Sequence, residues 1–527
     1  NNNRLVWKAI YPRILITVTL LRCFILIFMA LSDASILDHN PGNDVLRFDL
    51  RLTTKDTKQC FCLEGLACDP AWREWDRGKK MRNCVDTNDL MMSNNYSSIT
   101  EFFLSPVTKW DSARFLTIAA DPWERHPFKD HKDELLHSEQ AHAFFPLFPL
   151  LIRHLALFLV KIVPLSLLPP TFEGVLALSA LLLNFISFLI ALHCLLDLTL
   201  ILTQRYIEIG DNSLYITGKI AAIFYLNPAT IFFCTCYTEA VFAMFTFAGY
   251  CLYTREYSNT ALLPWMAASY TRSNGCLVSV WLIIQGIAQY FQKDCPSIQK
   301  FSRVLWHFAA AIIVGIPILL HDRTGYELHC QDNVMRQPYC DKNSIFFYGY
   351  VQRKYWDVGL FRYFCLKQIP NFILATPILF CSVLGAWNWI RTSWNEQPHN
   401  HSGVLPRFFK WAIWALQRSK IENYLNHCDS FSDILYAPNM LAHYAILAIA
   451  AVVGFTTAHV QISTRLICST CPAIYWQLTR MCLTTTKTNE SKASKPSTGK
   501  WNGLVTFYLG FYIVVGIILH VNFLPWT

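Results

Sequence analysis

The sequence predicts an all-α polytopic membrane protein, a bundle of about 8–11 transmembrane helices with a large first loop. Two observations predict this class. Charged residues make up only 15% of the 527 residues and apolar residues 53%, whereas roughly 25% of the residues in soluble domains are charged. The apolar residues also lie in runs of about twenty, a length that crosses a hydrocarbon core of roughly 30 Å. A soluble globular protein is therefore excluded.

Ten apolar segments are the candidate spanning helices. In chain order they cover residues 14–31, 144–168, 175–202, 216–234, 240–253, 261–287, 304–320, 372–390, 441–459 and 504–523. We expect the first to be a helix and not a signal peptide, because it exceeds the roughly 7–15 apolar residues of such peptides and contains Arg22. Since the chain begins with Asn and not Met, we also expect further residues before it.

The basic residues before the first span predict the orientation of the chain. Arg4, Lys8 and Arg13 favour a cytosolic N-terminus, because cytosolic flanks carry an excess of Lys and Arg. Residues 1–31 then form the cytosolic end and first helix, and residues 32–142 form a lumenal loop. A glycosylation sequon at Asn95 in that loop agrees with this orientation.

The rest of the chain divides by composition. Residues 143–320 are a transmembrane bundle, 321–370 a second lumenal loop, and 371–527 the C-terminal helices. Within the last unit, the basic, Trp-rich segment 391–438 is either cytosolic surface against the membrane or a plain connector, with an amphipathic stretch near 407–420. Residues 484–500 are a polar linker that we expect to be mobile.

Cysteines cluster in the two predicted lumenal loops. These are Cys60, Cys62, Cys68 and Cys84 in the first loop and Cys330 with Cys340 in the second. Even numbers in polar loops favour disulfides and an oxidising lumen. A zinc site fits less well, because only one residue separates Cys60 from Cys62.

The charge and the absent motifs narrow the function. The net charge is +9, but the sequence has no basic stripe with interleaved aromatic residues, so we expect no binding to nucleic acid. The basic residues lie mostly in loops, where they are explained by contact with anionic headgroups, by topology signalling or by binding of a phosphate-bearing lipid. No Gly-rich nucleotide loop, no Gly-x-Ser-x-Gly elbow and no paired metal ligands at helical spacing occur. We therefore expect no metal or cofactor, and any group donor should be membrane-borne.

Polar residues near the end of the first loop form the first candidate site. Asp111 beside Trp110 could act as a general base, since partial desolvation raises the pKa of a carboxylate. The alternative is a helix N-cap, because apolar residues follow with the period of an amphipathic helix.

A second candidate begins at Glu139, where polar residues precede Pro146 and Pro149. Such a break suits a sugar pocket or is a simple kink. Histidines occur around it at 126, 131, 137 and 142, and because they lack a clean ligand period we expect a solvated loop there and not a metal site.

Two further candidates lie inside apolar segments, where polar residues usually face a cavity or a reaction path. Glu239, shortly after Tyr237, either contacts substrate or marks a water-exposed turn. Arg272, with Asn274 and neighbouring hydroxyls, could bind a lipid phosphate, and its alternative is an ion pair with Glu239.

At these residues the sequence resembles the second mannosyltransferases of glycosylphosphatidylinositol (GPI) assembly, a family of multi-spanning GT-C glycosyltransferases of the endoplasmic reticulum. The resemblance runs from the first span almost to the C-terminus. Its motifs are Trp110-Asp111 with Phe115 and Ile118-Ala119, residues 143–149, Asn227-Pro228 with Tyr237 and Glu239, residues 272–275, 355–359, 366–372 and 459–461, Thr464-Arg465, and residues 472–476. Their order and spacing together are specific. The family shows Gly-Tyr shortly after Ile118-Ala119, where this chain has Ala120-Asp121 and a long insertion.

The resemblance implies a GT-C-like bundle in the endoplasmic reticulum membrane and an inverting α-1,6 transfer of mannose. The donor would be dolichyl-phosphate-mannose and the acceptor a mannosylated glucosaminyl-phosphatidylinositol, with membrane lipid and a small membrane accessory subunit as further partners. Asp111 matches the family's acidic base. Implied substrate-binding residues are Trp110, Glu139, Tyr237, Glu239, Arg272, Asn274, Lys367 and Arg465, with the cations stabilising the departing phosphate.

Two points stay open at the level of sequence. Counting the ten spans places Tyr237 and Glu239 on the cytosolic side, whereas a GT-C site is lumenal, so we expect one early segment, first of all 144–168, to be interfacial or double. The alternatives in function are another dolichol-phosphate-sugar transferase or a non-catalytic lipid carrier. A carrier should show two related halves with matching broken helices, and the sequence shows none.

Overall fold

The computed structural model describes residues 2–36, 99–120, 139–169, 171–203, 211–291, 296–330, 340, 346–395, 411–412, 414–416, 435–436, 438–458, 462–486, 495–522 and 524. Several sequence features lie outside these residues. They are the four first-loop cysteines, the sequon at Asn95, the histidines at 126, 131 and 137, and most of the segment 391–438.

The described residues form seventeen α-helices. They are α1 (Asn2–Ser35), α2 (Ile99–Leu104), α3 (Asp111–Ala120), α4 (Leu147–Ile162), α5 (Phe172–Thr203), α6 (Asp211–Tyr225), α7 (Thr230–Cys234), α8 (Glu239–Thr254), α9 (Ser258–Thr271), α10 (Cys276–Tyr290), α11 (Ser297–Cys330), α12 (Phe347–Trp356), α13 (Ile369–Asn395), α14 (Leu441–Thr456), α15 (Ser463–Thr470), α16 (Pro472–Cys482) and α17 (Asn502–Val521). Short 3-10 turns join several of them.

Five of these helical segments are long and apolar enough to cross a membrane, which confirms the predicted all-α polytopic class. They are Ile16–Ser35, Phe172–Thr203, Ser297–Cys330, Leu366–Trp394 and Asn502–Val521. Each overlaps a predicted span. Shorter apolar helices pack between them, and the total of about 8–11 spans stays a prediction.

Three of the predicted single spans are wrong, because each is interrupted. Segment 144–168 contains the 16-residue α4 and a separate 3-10 turn, Leu165–Leu167, because Pro146 precedes the α-helix and Pro164 follows it. Segment 216–234 stops at Asn227-Pro228. There the Asn227 side chain accepts from the amide of Ala229 at 2.9 Å and donates to the carbonyl of Phe224 at 2.7 Å. The broken backbone is thereby satisfied inside the protein, which is where membrane proteins tolerate it.

Segment 261–287 is also two helices, α9 and α10. Trp265 and Trp281, one from each helix, have ring centroids 5.6 Å apart. In one continuous helix they would be about 24 Å apart at 1.5 Å per residue. The chain therefore reverses direction between them, at Arg272. The predicted span 261–287 is therefore two helices, whereas the sequence led us to expect an interfacial or double segment first of all in 144–168.

The linker predicted for residues 484–500 is partly ordered. Strand β1 (Leu483–Thr486) pairs antiparallel with β2 (Lys495–Thr498). Threonine, which occurs three times in β1, is a residue type enriched in strands. The ribbon is the only sheet among the described residues.

Helix α5 lies at the centre of the bundle and packs against α4, α6 and α8. Most of its side chains are apolar and buried, and one apolar stripe, Leu182, Ile186 and Ile190, is exposed on the outside of the bundle. Phe188 stacks on Phe224 with ring centroids 4.8 Å apart, and the Arg22 guanidinium lies 4.0 Å from the Phe188 ring centroid. Arg22 also donates to the carbonyl of Phe233 at 2.7 Å. The buried arginine of the first span thus joins α1 to the centre of the bundle.

Candidate active site

Helix α3 carries Asp111, and contacts from other helices fix the point at which it begins. The Lys109 amine pairs with the Asp33 carboxylate at the end of α1, and both side chains are buried. Trp110 has a left-handed backbone (φ 59°), which is uncommon for a residue with a side chain. Its indole N–H donates to the backbone carbonyl of His520 at 2.9 Å. Tertiary contacts therefore hold a strained turn directly before Asp111, a situation typical of functional segments.

The other end of α3 is held by a buried arginine. Arg153 of α4 donates to the carbonyls of Ala119 and Ala120 at 3.0 and 2.9 Å, and a cation at a helix C-terminus is favourable. Arg114, in the middle of α3, donates to Gln140 at 2.7 Å. Helix α3 is thus fixed along its length, so Asp111 sits on a rigid element.

Tyr237 lies in the short connection between α7 and α8, and a buried amide supports that connection. Asn184 of α5 donates to the carbonyls of Thr235 and Tyr237 at 2.6 and 2.9 Å. The Tyr237 hydroxyl accepts from the backbone N–H of Asp111 at 3.2 Å. The aromatic side chain therefore links the α7–α8 connection to the start of α3.

Glu239, the first residue of α8, pairs with two arginines. It is fully buried, and its Oε1 accepts from Arg465 Nε at 2.5 Å and from Arg272 Nη1. Arg465 Nη1 also lies 3.6 Å from Asp111 Oδ2, while Arg272 donates to Thr238 at 3.1 Å. The two carboxylates and two guanidinium groups form one connected cluster. Glu239 is therefore not in a water-exposed turn, and the ion pair with Arg272 is present.

Arg272 occupies the reversal between α9 and α10, in extended backbone (φ −156°, ψ 148°). The following 3-10 turn, Ser273–Gly275, approaches α9 so closely that a Cβ at Gly275 would lie 2.5 Å from Ser269 Cα. Glycine is the residue that permits this approach. The turn directs Arg272 toward Glu239 instead of toward lipid.

A cavity of about 450 Å³ opens beside this cluster. Its wall combines aromatic rings with a few charged and hydroxyl groups, which is the usual composition of a small-molecule site. The lining residues are Trp110, Asp111, Phe115, Ala143, Phe144, Phe145, Phe232, Tyr237, Thr238, Thr271, Arg272, Ser273, Asn274, Tyr348, Gln352, Trp356, Val358, Ile462, Arg465 and His520. Asp111 is the most accessible of the charged cluster, with 41% of its side chain exposed.

The structure brings six of the nine sequence-predicted site residues to this cavity. They are Trp110, Asp111, Tyr237, Arg272, Asn274 and Arg465. Glu239 lies behind the wall, where it holds the arginines, and does not line the cavity. Lys367 is exposed in the turn Leu366–Gln368 and is not among the described lining residues. The Glu139 side chain is outside the described part, although its backbone begins the 3-10 turn Glu139–Ala143.

Asp111 is not the N-cap of α3, because it lies within the helix and not directly before it. It is the first residue of α3, where the helix dipole favours a negative charge. It also faces the cavity, 3.6 Å from Arg465, so the helix start does not remove it from reach of a ligand.

Sequence reasoning missed several lining residues. Tyr348 and Gln352 come from α12, a short helix in the predicted second loop, and His520 comes from α17. A histidine within an apolar span was the available signal for His520, because such residues usually face a cavity. Tyr348 also bonds to Ser273 (O–O 3.0 Å), which joins α12 to the Arg272 turn.

His142 does not lie in a solvated loop, and that part of the prediction is wrong. It is buried, and its ring centroid lies 5.8 Å from that of His321 and 5.0 Å from that of His329. The 3-10 turn that carries it packs against α11 and α12, which excludes water. Burial, together with the neighbouring His329 and His321, lowers the pKa of His142 well below its ordinary value.

The predicted disulfide between Cys330 and Cys340 is present, with Cα atoms 5.5 Å apart. It closes the loop between α11 and α12. Because α12 contributes Tyr348, Gln352 and Trp356 to the cavity, the disulfide and the cavity lie on the same side of the bundle.

The site contains the groups that a single displacement needs. An accessible carboxylate can take a proton from an attacking hydroxyl, and two guanidinium groups can stabilise a departing anion. The aromatic wall suits the faces of a sugar ring. Fold and site therefore define a polytopic membrane enzyme, a glycosyltransferase.

A family model described as "Mannosyltransferase (PIG-V)" matches residues 82–527. The chain therefore belongs to this mannosyltransferase family, which confirms the family resemblance found from the motifs.

Similar proteins are found in animals and fungi. The chain is 27% identical to the GPI alpha-1,6-mannosyltransferase 2 of Homo sapiens, over 83% of this chain and 91% of the human protein. It is 28% identical to the GPI mannosyltransferase 2 of Drosophila melanogaster, over 80% and 88% of the two chains. It is 26% identical to the GPI mannosyltransferase 2 of Cryptococcus neoformans, over 57% of this chain and 65% of the fungal protein. No solved structure matches the chain.

Proposed function

We propose that this protein adds the second mannose, in α-1,6 linkage, to the GPI anchor precursor on the lumenal side of the endoplasmic reticulum. The donor is dolichyl-phosphate-mannose and the acceptor is the one-mannose glucosaminyl-phosphatidylinositol. The observation that carries the proposal is the cavity that Asp111 lines together with Arg272 and Arg465, in a chain whose relatives are named for this transfer.

In the proposed reaction Asp111 takes the proton of the acceptor 6-hydroxyl as its oxygen forms a bond to C1 of the donor mannose. The bond between C1 and the phosphate oxygen breaks, and the phosphate leaves with the electron pair. Attack opposite the leaving group inverts the configuration at C1. Arg272 and Arg465, held by Glu239, stabilise the negative charge that the phosphate gains, so no protonating acid is needed.

Two features support a lumenal site. The Cys330–Cys340 disulfide lies on the cavity side of the bundle, and disulfides persist in oxidising compartments. The cavity also adjoins the C-terminal end of α1, through the pair of Asp33 and Lys109, whereas the basic residues that favour a cytosolic location precede the first span at the other end.

The test is expression in cells that lack their own second GPI mannosyltransferase. We expect surface GPI-anchored proteins to return and the accumulated one-mannose precursor to be converted to a two-mannose lipid. The Asp111→Asn variant in the same cells is the control. Stable expression of the wild-type chain in the membrane with no conversion of the precursor would contradict the proposal and favour a lipid carrier.

A further inference from the structure

His520 is a buried histidine on the wall of the active-site cavity. It lies in the last turn of α17 with 2% of its surface exposed. Its ring packs edge-on against Phe232 and Tyr237, with centroids 5.5 and 5.6 Å away. These contacts fix the plane of the imidazole within the aromatic part of the cavity.

The Nε2 atom of His520 has no hydrogen-bond partner among the described residues. Two neighbouring polar groups are paired, whereas Asn522 Oδ1 also lacks a partner among the described residues. The His520 carbonyl accepts from Trp110, and the Asn522 amide donates to Ser32 at 3.0 Å. A buried polar atom without a partner is unfavourable, so such an atom on a residue that lines a cavity is expected to gain a partner when the cavity is filled.

Burial without a partner does not mark a site by itself. His443 of α14 is also buried, and its Nδ1 also lacks a partner among the described residues. Its ring packs against Tyr250, Trp281 and Trp476, and it does not line the cavity. The position of His520 on the cavity wall distinguishes the two histidines.

We propose that His520 binds a hydroxyl of a mannosyl group in the active site through Nε2, and so positions that sugar relative to Asp111. This rests on the proposed mannosyl transfer. A neutral imidazole nitrogen either donates or accepts one hydrogen bond, and a sugar hydroxyl can supply the complement. The sugar belongs either to the lipid donor or to the glycolipid acceptor, since both must carry a mannose at the reacting end.

Three variants separate this role from a structural one. His520→Phe retains an aromatic ring against Phe232 and Tyr237 and leaves the carbonyl that holds Trp110. It removes both ring nitrogens and adds one ring atom. His520→Gln retains a polar group near the position of Nε2. His443→Phe is the matched control. We expect about a tenfold loss of kcat/KM for His520→Phe, a smaller loss for His520→Gln and no loss for His443→Phe.

The decisive measurement uses monodeoxy substrates with purified protein in detergent, in two arms. One arm uses dolichyl-phosphate-mannose lacking single hydroxyls, and the other uses one-mannose acceptors lacking single hydroxyls. In one arm, the wild type should have an about tenfold lower kcat/KM for one deoxy substrate than for the intact substrate, whereas His520→Phe should have the same kcat/KM for both. The arm in which this occurs identifies the sugar.

The inference is overturned if His520→Phe keeps wild-type kcat/KM, or if every deoxy substrate loses the same factor with both proteins. An equal loss for His520→Phe and His520→Gln, with no coupling to any hydroxyl, shows a structural role and also overturns it. Absence of transfer by the wild type from intact donor to intact acceptor contradicts the proposed function itself, and is distinct from these results.

Discussion

Glu239→Gln tests whether the buried carboxylate holds the two arginines of the site. Glu239 is fully buried, and the side chains of Arg272 and Arg465 are only 14% and 11% exposed. Removing one partner of a buried ion pair destabilises by about 3–5 kcal/mol, because a charge stays buried without compensation. Glutamine keeps one acceptor oxygen, and Arg465 keeps Asp111 at 3.6 Å, so we expect the lower end, about 3 kcal/mol.

The assay has two parts. With about 1–2 °C per kcal/mol for a chain of this length, the apparent Tm in detergent should fall by about 3–6 °C. The kcat/KM for mannose transfer, per folded molecule, should fall about 100-fold, because misplaced cations no longer stabilise the departing phosphate.

Asp197→Asn is the matched control. Asp197 of α5 pairs with Arg255 through two oxygens at 2.6 Å, but neither residue lines the cavity and Arg255 is 48% exposed. Water can solvate the freed guanidinium, so the Tm shift should be smaller and kcat/KM per folded molecule unchanged. If Glu239→Gln retains wild-type turnover, or loses no more turnover than Asp197→Asn, the positioning role of Glu239 is refuted.

Three further substitutions test the support of the site. Trp110→Phe removes the hydrogen bond from the indole to the His520 carbonyl, which contributes about 1 kcal/mol. Because the turn before Asp111 then loosens, steady-state kinetics should show a lower kcat while the melting curve shows little change in Tm. A lower Tm with an unchanged kcat would show that Trp110 only packs. Arg153→Met leaves the last carbonyls of α3 without their hydrogen-bond donor and should lower the free energy of unfolding by about 2–3 kcal/mol, measured as a drop in Tm. An unchanged Tm would contradict a stabilising role of these hydrogen bonds. Cys330→Ser removes a disulfide that joins cysteines 10 residues apart, for which chain entropy gives a stabilisation of about 2–3 kcal/mol. The Tm should fall, and Cys340 should become reactive toward maleimide. Labelling of Cys340 in the wild type would contradict the disulfide.

Composition predicted the membrane class and the long helices because both depend on local hydropathy. It missed the break at Asn227, although the hydrogen bonds that satisfy this break are local, to Phe224 and Ala229. It could not predict the break at Arg272, because this break depends on a partner distant in sequence. At Arg272 an apolar run of helical length is divided by a side chain whose carboxylate partner, Glu239, lies in another helix. Hydropathy is averaged over a window of residues, so a single arginine does not interrupt the predicted span.

The site was predicted mainly through motif order, and geometry refined it. Asp111, Arg272 and Arg465 are far apart in sequence, so periodicity alone could not show that they meet. The same motifs also included Lys367, which the structure leaves exposed, because a motif records order along the chain and not the direction of a side chain. His520 was found only from the cavity wall.

Asp111→Asn most directly tests the central proposal, that this carboxylate is the base of a mannosyl transfer. Asparagine keeps the size and the helix-start position but cannot take a proton. Microsomes with equal amounts of wild-type and variant protein would be given dolichyl-phosphate-mannose and the one-mannose GPI precursor, and the two-mannose product measured. We expect turnover to fall about 10²–10⁴-fold with the Tm nearly unchanged. Turnover equal to that of the wild type would contradict the assignment of Asp111 as the base.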